Sequence, residues 1–216
     1  MTSEQLGEHL GGPFGDIDRM WRGATPDDPR GGEAFAEFIE SFRLLADRLV
    51  SAAGMSQEQL TALAADLRGV AGELDGFAVA ETERWAGRRP DLPGRGSPLL
   101  PPFVITEETD DIIRATVRFR PFHIGGGRAA HGGTQPMVFD DLLGRLANLR
   151  GGALARTAYL KVNYRAITPI DVDLQVVGRV DRAEGRKTFL VGTLHDGDTL
   201  LADAEALFLR LLPGQH

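Results

Sequence analysis

The chain has 216 residues, enough for one domain of ordinary size or one domain with an appendage. Its 42% hydrophobic share excludes wholesale disorder, and its formal net charge of −7 excludes a general attraction for nucleic acid or anionic membranes. With no cysteine there are no disulfides, thiolate metal sites or Cys nucleophile, which fits a reducing compartment.

Residues 1–33 are rich in Gly, Pro and Asp (GGPFGD, TPDDPRGG) and read as an irregular leader in which Met20 and Trp21 are available to dock. The opening MTSEQLGEHLGG has neither a basic n-region nor an apolar h-region, and no apolar run approaches a membrane span. The expectation is a soluble cytoplasmic protein.

Residues 34–86 read as helical. Phe35, Phe38, Ile39, Phe42, Leu45 and Leu49 recur at three- and four-residue steps, and Gly54 closes that segment. Ser56 and Gln59 form a capping-box signature for a second helix, lined by Leu60, Leu63, Leu67, Val70 and Leu74. The pair predicts a helical hairpin that must pack on the rest of the protein or on a partner chain. In the linker at 87–102, GRRPDLPGRGSPLLPP, five prolines and three glycines exclude regular structure.

From residue 103 the pattern has period two. Ile113, Ala115, Val117 and Phe119 alternate with Arg114, Thr116, Arg118 and Arg120. Leu160, Val162, Tyr164 and Ala166 alternate with Lys161, Asn163 and Arg165. Strands are also expected over 172–180, 187–194 and 200–211, with hairpin turns at 184–186 and 196–198. One helix, about 133–149, falls between the second and third strands. The fold class is therefore α+β, an antiparallel sheet with a helix against one face.

The chemistry-bearing stretch is HGGTQPMVFDDLL, beginning at His131. Glycines just before a helix allow close backbone approach, and the first N–H groups of a helix are unpaired at the positive end of its dipole. Such an N–H can stabilise a carbonyl oxygen that gains charge. Neither the phosphate-loop nor the dinucleotide pattern is met. Asp141 lies one turn before Arg145 and is expected to form a solvated i,i+4 ion pair. Asp140 has Pro136, Leu143, Gly144 and Ala147 as helical neighbours and is expected to face the apolar side. There its pKa would rise unless it is partnered, as for a catalytic acid or base. From spacing alone, the reading that both are plain solvated charges stays open.

Three features resemble the hotdog-fold acyl-CoA thioesterases, in particular the branch with the phenylacetyl-CoA and human hotdog thioesterases. The first is His131, Gly132 and Gly133 opening the long helix, with Asp140 nine residues after the His. The second is Thr157, opening the next strand seven residues before Tyr164. The third is the closing antiparallel run, with Glu184–Lys187 at its second hairpin. The resemblance covers residues 100–212. It implies a hotdog domain over 100–216, preceded over 1–99 by the leader, helical hairpin and linker.

The resemblance also implies roles. The Gly132 N–H would polarise a thioester carbonyl, and Asp140 would act as general base or nucleophile. Thr157 would place the water or the carboxylate, and His131 would shape the loop. The site would form between two subunits of a homodimer, with further pairing of dimers left open. The substrate would be acyl-CoA, with coenzyme A present only as part of it and no separate cofactor or metal. Gly133, Arg128, Asn148 and Lys161 are the candidate substrate contacts. Other cations that could meet the CoA phosphates are Arg118, Arg120, Arg165, Arg182, Arg186 and Lys187. Some relatives carry Asn or Gln six residues before the His, where this chain has Gly125, so that role is absent or passes to Asn148 or water. His123 and His195 read as structural or surface histidines. The competing functions are a non-catalytic acyl-CoA binding or sensor module and, with least support, a hydratase or dehydratase.

Overall fold

The computed structural model describes residues 30–151 and 154–212, so Met20 and Trp21 lie outside the described residues. The chain begins with α1 (Gly32–Ser51) and α2 (Gln57–Asp75) and passes through a linker to β1 (Phe103–Glu108) and β2 (Ile112–Arg118). A short hairpin, β3 (Ile124–Gly126) and β4 (Ala129–Ala130), precedes the long helix α3 (Thr134–Gly151). Four strands complete it: β5 (Ala155–Tyr164), β6 (Asp173–Glu184), β7 (Lys187–Asp196) and β8 (Thr199–Arg210). The main sheet is antiparallel throughout, in the order β1-β2-β6-β7-β8-β5. Apart from the small β3–β4 hairpin, which periodicity did not reveal, this is the expected element order.

The sheet wraps one face around α3, which gives the hotdog arrangement. Period two puts Ile113, Ala115 and Val117 on that face, each fully buried. Val138, Phe139, Leu142, Leu143 and Leu146 of α3 meet them. Gly178 and Gly192 pair across β6 and β7, and a Cβ at either would lie 2.8 Å from the side chains of Leu143 and Ile113 or Phe139. These glycines make the floor on which the helix can sit close to the sheet. The two tight hairpins turn at Gly185 and Gly197, both at positive φ, as the sequence pattern predicts.

The N-terminal helices depart from expectation. Both form, and the Ser56–Gln59 capping box opens α2 as predicted. Yet α2 buries no residue, and its apolar line from Leu60 to Leu74 is exposed within one chain. α1 buries only Ile39 and Arg43, leaving Phe38, Phe42, Leu45 and Leu49 exposed. It is fastened instead by polar contacts. Arg43 donates to the carbonyls of Pro93 and Ser97 at 2.9 and 3.1 Å, and Asp47 holds Arg120 at 2.7 Å. The linker is irregular but ordered. Arg89 binds Asp91 and donates to the carbonyls of Arg30 and Gly32.

Candidate active site

Several hydrogen bonds hold the loop entering α3. The His131 carbonyl accepts from the Thr134 N–H at 2.9 Å and the Thr134 hydroxyl at 2.7 Å. The peptide linking Gly132 to Gly133 is gripped at both ends. Its carbonyl accepts from the Tyr164 hydroxyl at 2.6 Å, and its N–H donates to His131 Nδ1 at 3.0 Å. Among the described residues nothing accepts the Gly132 N–H. The loop thus presents the Gly132 N–H at the positive end of an 18-residue helix.

Behind this loop lies His123, buried, with its carbonyl accepting the His131 N–H at 2.7 Å. Its Nδ1 accepts the Arg120 N–H at 2.9 Å, and burial lowers its pKa to about 4. It is a structural histidine, as expected from sequence. Gly125 is part of the same wall. A Cβ there would lie 2.8 Å from the Cα of His131, so the backbone itself occupies the space a side chain would need. The departure from the Asn or Gln of some relatives is therefore built into the packing.

The two carboxylates exchange the environments that local spacing predicts. Asp141, expected to be solvated and paired with Arg145, is nearly buried and bound by Arg95 from the linker, which donates from two guanidinium nitrogens, one at 2.8 Å. Burial raises its pKa against the pull of Arg95. Arg145 turns instead to Glu108, at 2.8 Å through Nη2. Asp140, expected on the apolar side, is exposed within the single chain. Its carboxylate accepts a 2.8 Å hydrogen bond from the Thr157 hydroxyl on β5. The structure therefore joins Asp140 to Thr157, and His131 to Gly132 and Gly133.

The expected substrate contacts scatter. Asn148 is buried, with both ends of its amide in use. Nδ2 donates to the Gly144 carbonyl at 2.7 Å and Oδ1 accepts the Ala155 N–H at 2.8 Å, tying α3 to β5. It is thus a structural residue and does not replace the missing side chain at 125. The Gly133 N–H is occupied by His131. Lys161 faces Glu205 at 3.4 Å, and Arg128 sits exposed in the β3–β4 turn at positive φ. Arg118, Arg120, Arg165 and Arg182 are each engaged by carboxylates. Tyr164 is the contact that sequence reasoning missed. In the sequence it served as a strand residue and as the end point of the Thr157 spacing, and neither reports a partner 32 residues away.

Along one helix the Gly132 N–H and the carboxylate are far apart. Eight residues separate Gly132 from Asp140, roughly 12 Å of helix rise. No single carbonyl in one chain meets both. No group of three or more His, Asp or Glu among the described residues could hold a metal ion, and no helix among them is long and apolar enough to cross a membrane.

No family model matches the chain. Over 95 residues, 43% of its length, it is 33% identical to acyl-coenzyme A thioesterase THEM4 of Bos taurus, of which the match spans only 38%. A crystal structure of a thioesterase superfamily protein superposes on 82% of this chain and 96% of its own, with TM-score 0.69 and 28% identity. That coverage exceeds what residues 100–212 alone supply, so the likeness reaches into the N-terminal helical part. A hypothetical thioesterase protein of Streptococcus pneumoniae, solved with coenzyme A, covers 50% of this chain and 87% of its own, with TM-score 0.47 and 16% identity.

Proposed function

Since this chain belongs to the hotdog-fold thioesterase superfamily, we propose that it hydrolyses an acyl- or aryl-CoA thioester to the free acid and CoA. The observation that carries the reading is Asp140, an exposed carboxylate oriented by the 2.8 Å bond from Thr157. Gly132 supplies the complementary donor. Its N–H binds the thioester oxygen as negative charge develops there. Asp140 takes a proton from water as the oxygen of that water bonds to the carbonyl carbon. The tetrahedral intermediate then expels the CoA thiolate, which is protonated. Asp140 attacking the carbonyl directly would give the same products through an anhydride. His131 contributes by holding the loop. A thioester has a good leaving group, so one base and one donor are sufficient.

The active unit on this reading is a homodimer in which Gly132 of one chain faces Asp140 and Thr157 of the other. Three features support it. Gly132 and Asp140 are too far apart along one helix, Asp140 is exposed in one chain, and among the described residues β5 has a partner only on its β8 side in the main sheet.

Thiol release from short, medium, long and aryl acyl-CoAs tests the reading. Asp140→Asn is expected to lower turnover by about 10²- to 10⁴-fold. Full activity in that variant removes Asp140 from the mechanism, and a fully active monomer contradicts the shared site. Acyl-CoA binding without hydrolysis across the panel would instead identify a binding or sensor module.

A further inference from the structure

The helix α1 packs on the hotdog domain at one short helical turn, Pro121–His123, between β2 and β3. The contact is polar. Asp47 of α1 accepts the Phe122 N–H at 3.3 Å with Oδ1. Its Oδ2 accepts from the Arg120 guanidinium, at 2.8 Å from Nε and 2.7 Å from Nη2. Glu40, two helical turns earlier on α1, takes Nη1 of the same guanidinium. The side chains of Asp47 and Arg120 are only 12% and 16% exposed, so solvent ions screen this pair little.

From this turn a chain of hydrogen bonds runs to the loop that enters α3. The Arg120 N–H donates to His123 Nδ1 at 2.9 Å, and the His123 N–H donates to the Arg120 carbonyl at 2.9 Å, closing the turn on itself. Burial holds the His123 imidazole neutral, with a pKa of about 4, so Nδ1 keeps its lone pair for that bond near neutral pH. The Phe122 ring, on the residue that Asp47 grips by its N–H, lies 3.9 Å from the imidazole, centroid to centroid. The His123 carbonyl then accepts the His131 N–H at 2.7 Å.

His131 in turn sets Gly132. Its carbonyl belongs to the planar peptide unit that carries the Gly132 N–H, and its Nδ1 accepts from Gly133. A Cβ at Gly125 would lie 2.8 Å from the His131 Cα, so the wall beside His131 is packed backbone on backbone and has little slack to absorb a shift.

We propose that Asp47 is a positioning residue for the Gly132 N–H, acting through Arg120, Phe122 and His123. It touches no reacting atom. Its effect on turnover rests on the thioesterase reading, and it ties α1, which lies outside residues 100–212, to the rate. A donor that is slightly misplaced loses its hold on the charge that develops in the transition state more than its hold on the bound substrate. The loss therefore falls on kcat and spares KM.

The test uses the full chain. Asp47→Ala leaves the Phe122 N–H without its acceptor and leaves Glu40 as the carboxylate on Arg120. Alanine favours the helix, so α1 itself persists. Asp47→Asn restores a neutral acceptor of the same shape. kcat for acyl-CoA hydrolysis is expected to fall about 10- to 100-fold in Asp47→Ala with KM little changed, and to recover most of that loss in Asp47→Asn. Amide exchange followed by NMR reads the same link without substrate. The His131 and Gly133 amides are expected to exchange about tenfold faster or more in Asp47→Ala, while the amides of the β6–β7 ladder keep their wild-type rates. If Asp47→Ala does not fold, Asp47→Ser takes its place with the same expectations. Unchanged exchange at His131 and Gly133 overturns the proposal, and so does a rise shared equally by β6 and β7, which marks a general loss of stability. A wild-type kcat despite loosened amides, or a loss confined to KM, overturns it as well and leaves the hydrolase reading intact. If the two amides loosen as expected while no thioester is hydrolysed by wild type or variant, the positioning of Gly132 stands and the hydrolase reading falls.

Discussion

Replacing Arg95 by methionine isolates the least expected contact in the molecule. Arg95 comes from the linker, and its side chain and that of Asp141 are only 16% and 11% exposed. The variant keeps a side chain of similar length but leaves the Asp141 carboxylate buried without its main cation. Removing one partner of a buried pair costs about 3–5 kcal/mol, a large part of the roughly 5–15 kcal/mol that holds a domain together. Guanidinium denaturation at pH 8 is expected to show a loss of that size. The sign with pH follows from the direction of the shift. Burial already raises the Asp141 pKa and Arg95 opposes it, so without Arg95 the folded pKa rises further. The folded state then binds the extra proton at higher pH than the unfolded state, and the deficit narrows as pH falls from 8 toward 5. Measuring variant against wild type at each pH cancels the titrations they share. Arg95→Met/Asp141→Leu is expected to recover much of the loss, because no uncompensated charge remains. A deficit below about 1 kcal/mol, a deficit that widens on acidification, or a double variant as unstable as the sum of the singles would refute the reasoning.

Other substitutions probe the loop and the floor of the core. Tyr164→Phe removes only the bond to the Gly132 carbonyl; kcat for thioester hydrolysis is expected to fall several-fold, about 1 kcal/mol of loop alignment, with KM little changed. Gly125→Asn restores the side chain some relatives carry, but its Cβ would meet His131 Cα at 2.8 Å. It is expected to lower activity and melting temperature together, and a gain of activity would show that the wall can yield. Gly192→Ala drives a methyl into Phe139 and is expected to cost about 1–3 kcal/mol in denaturant titrations. His123, held neutral with a pKa near 4, binds fewer protons folded than unfolded. Wild-type stability should therefore fall as pH drops from about 6.5 to 4, by at most about 1.4 kcal/mol per unit from this group. His123→Phe should flatten that slope.

What could be read along the chain was whatever a single element reports about itself. The strand faces were legible because Ile113, Ala115 and Val117 repeat with the pleat and all reach the core. The start of α3 was legible because glycines and a His precede a helical run. The pairing of Asp140 and Asp141 was not, because a helix-neighbour argument sees only its own turns. The groups that decide here, Arg95 and Glu108, arrive from 46 and 37 residues away. Arg95 draws Asp141 inward and Glu108 takes Arg145, so the ion pair that local spacing favours never forms. Asn148 was misread for the same reason, since its amide is consumed by Gly144 and Ala155 at the junction of helix and strand. The helices α1 and α2 show the limit in its plainest form. An apolar stripe at helical spacing states that a face must be covered, and it does so correctly for Leu142, Leu143 and Leu146. It does not state which chain covers it. In α2 the stripe from Leu60 to Leu74 stays exposed, with no residue of the helix buried among the described residues. Periodicity reports a demand for a neighbour, and only the packed structure reveals whether the same chain meets it.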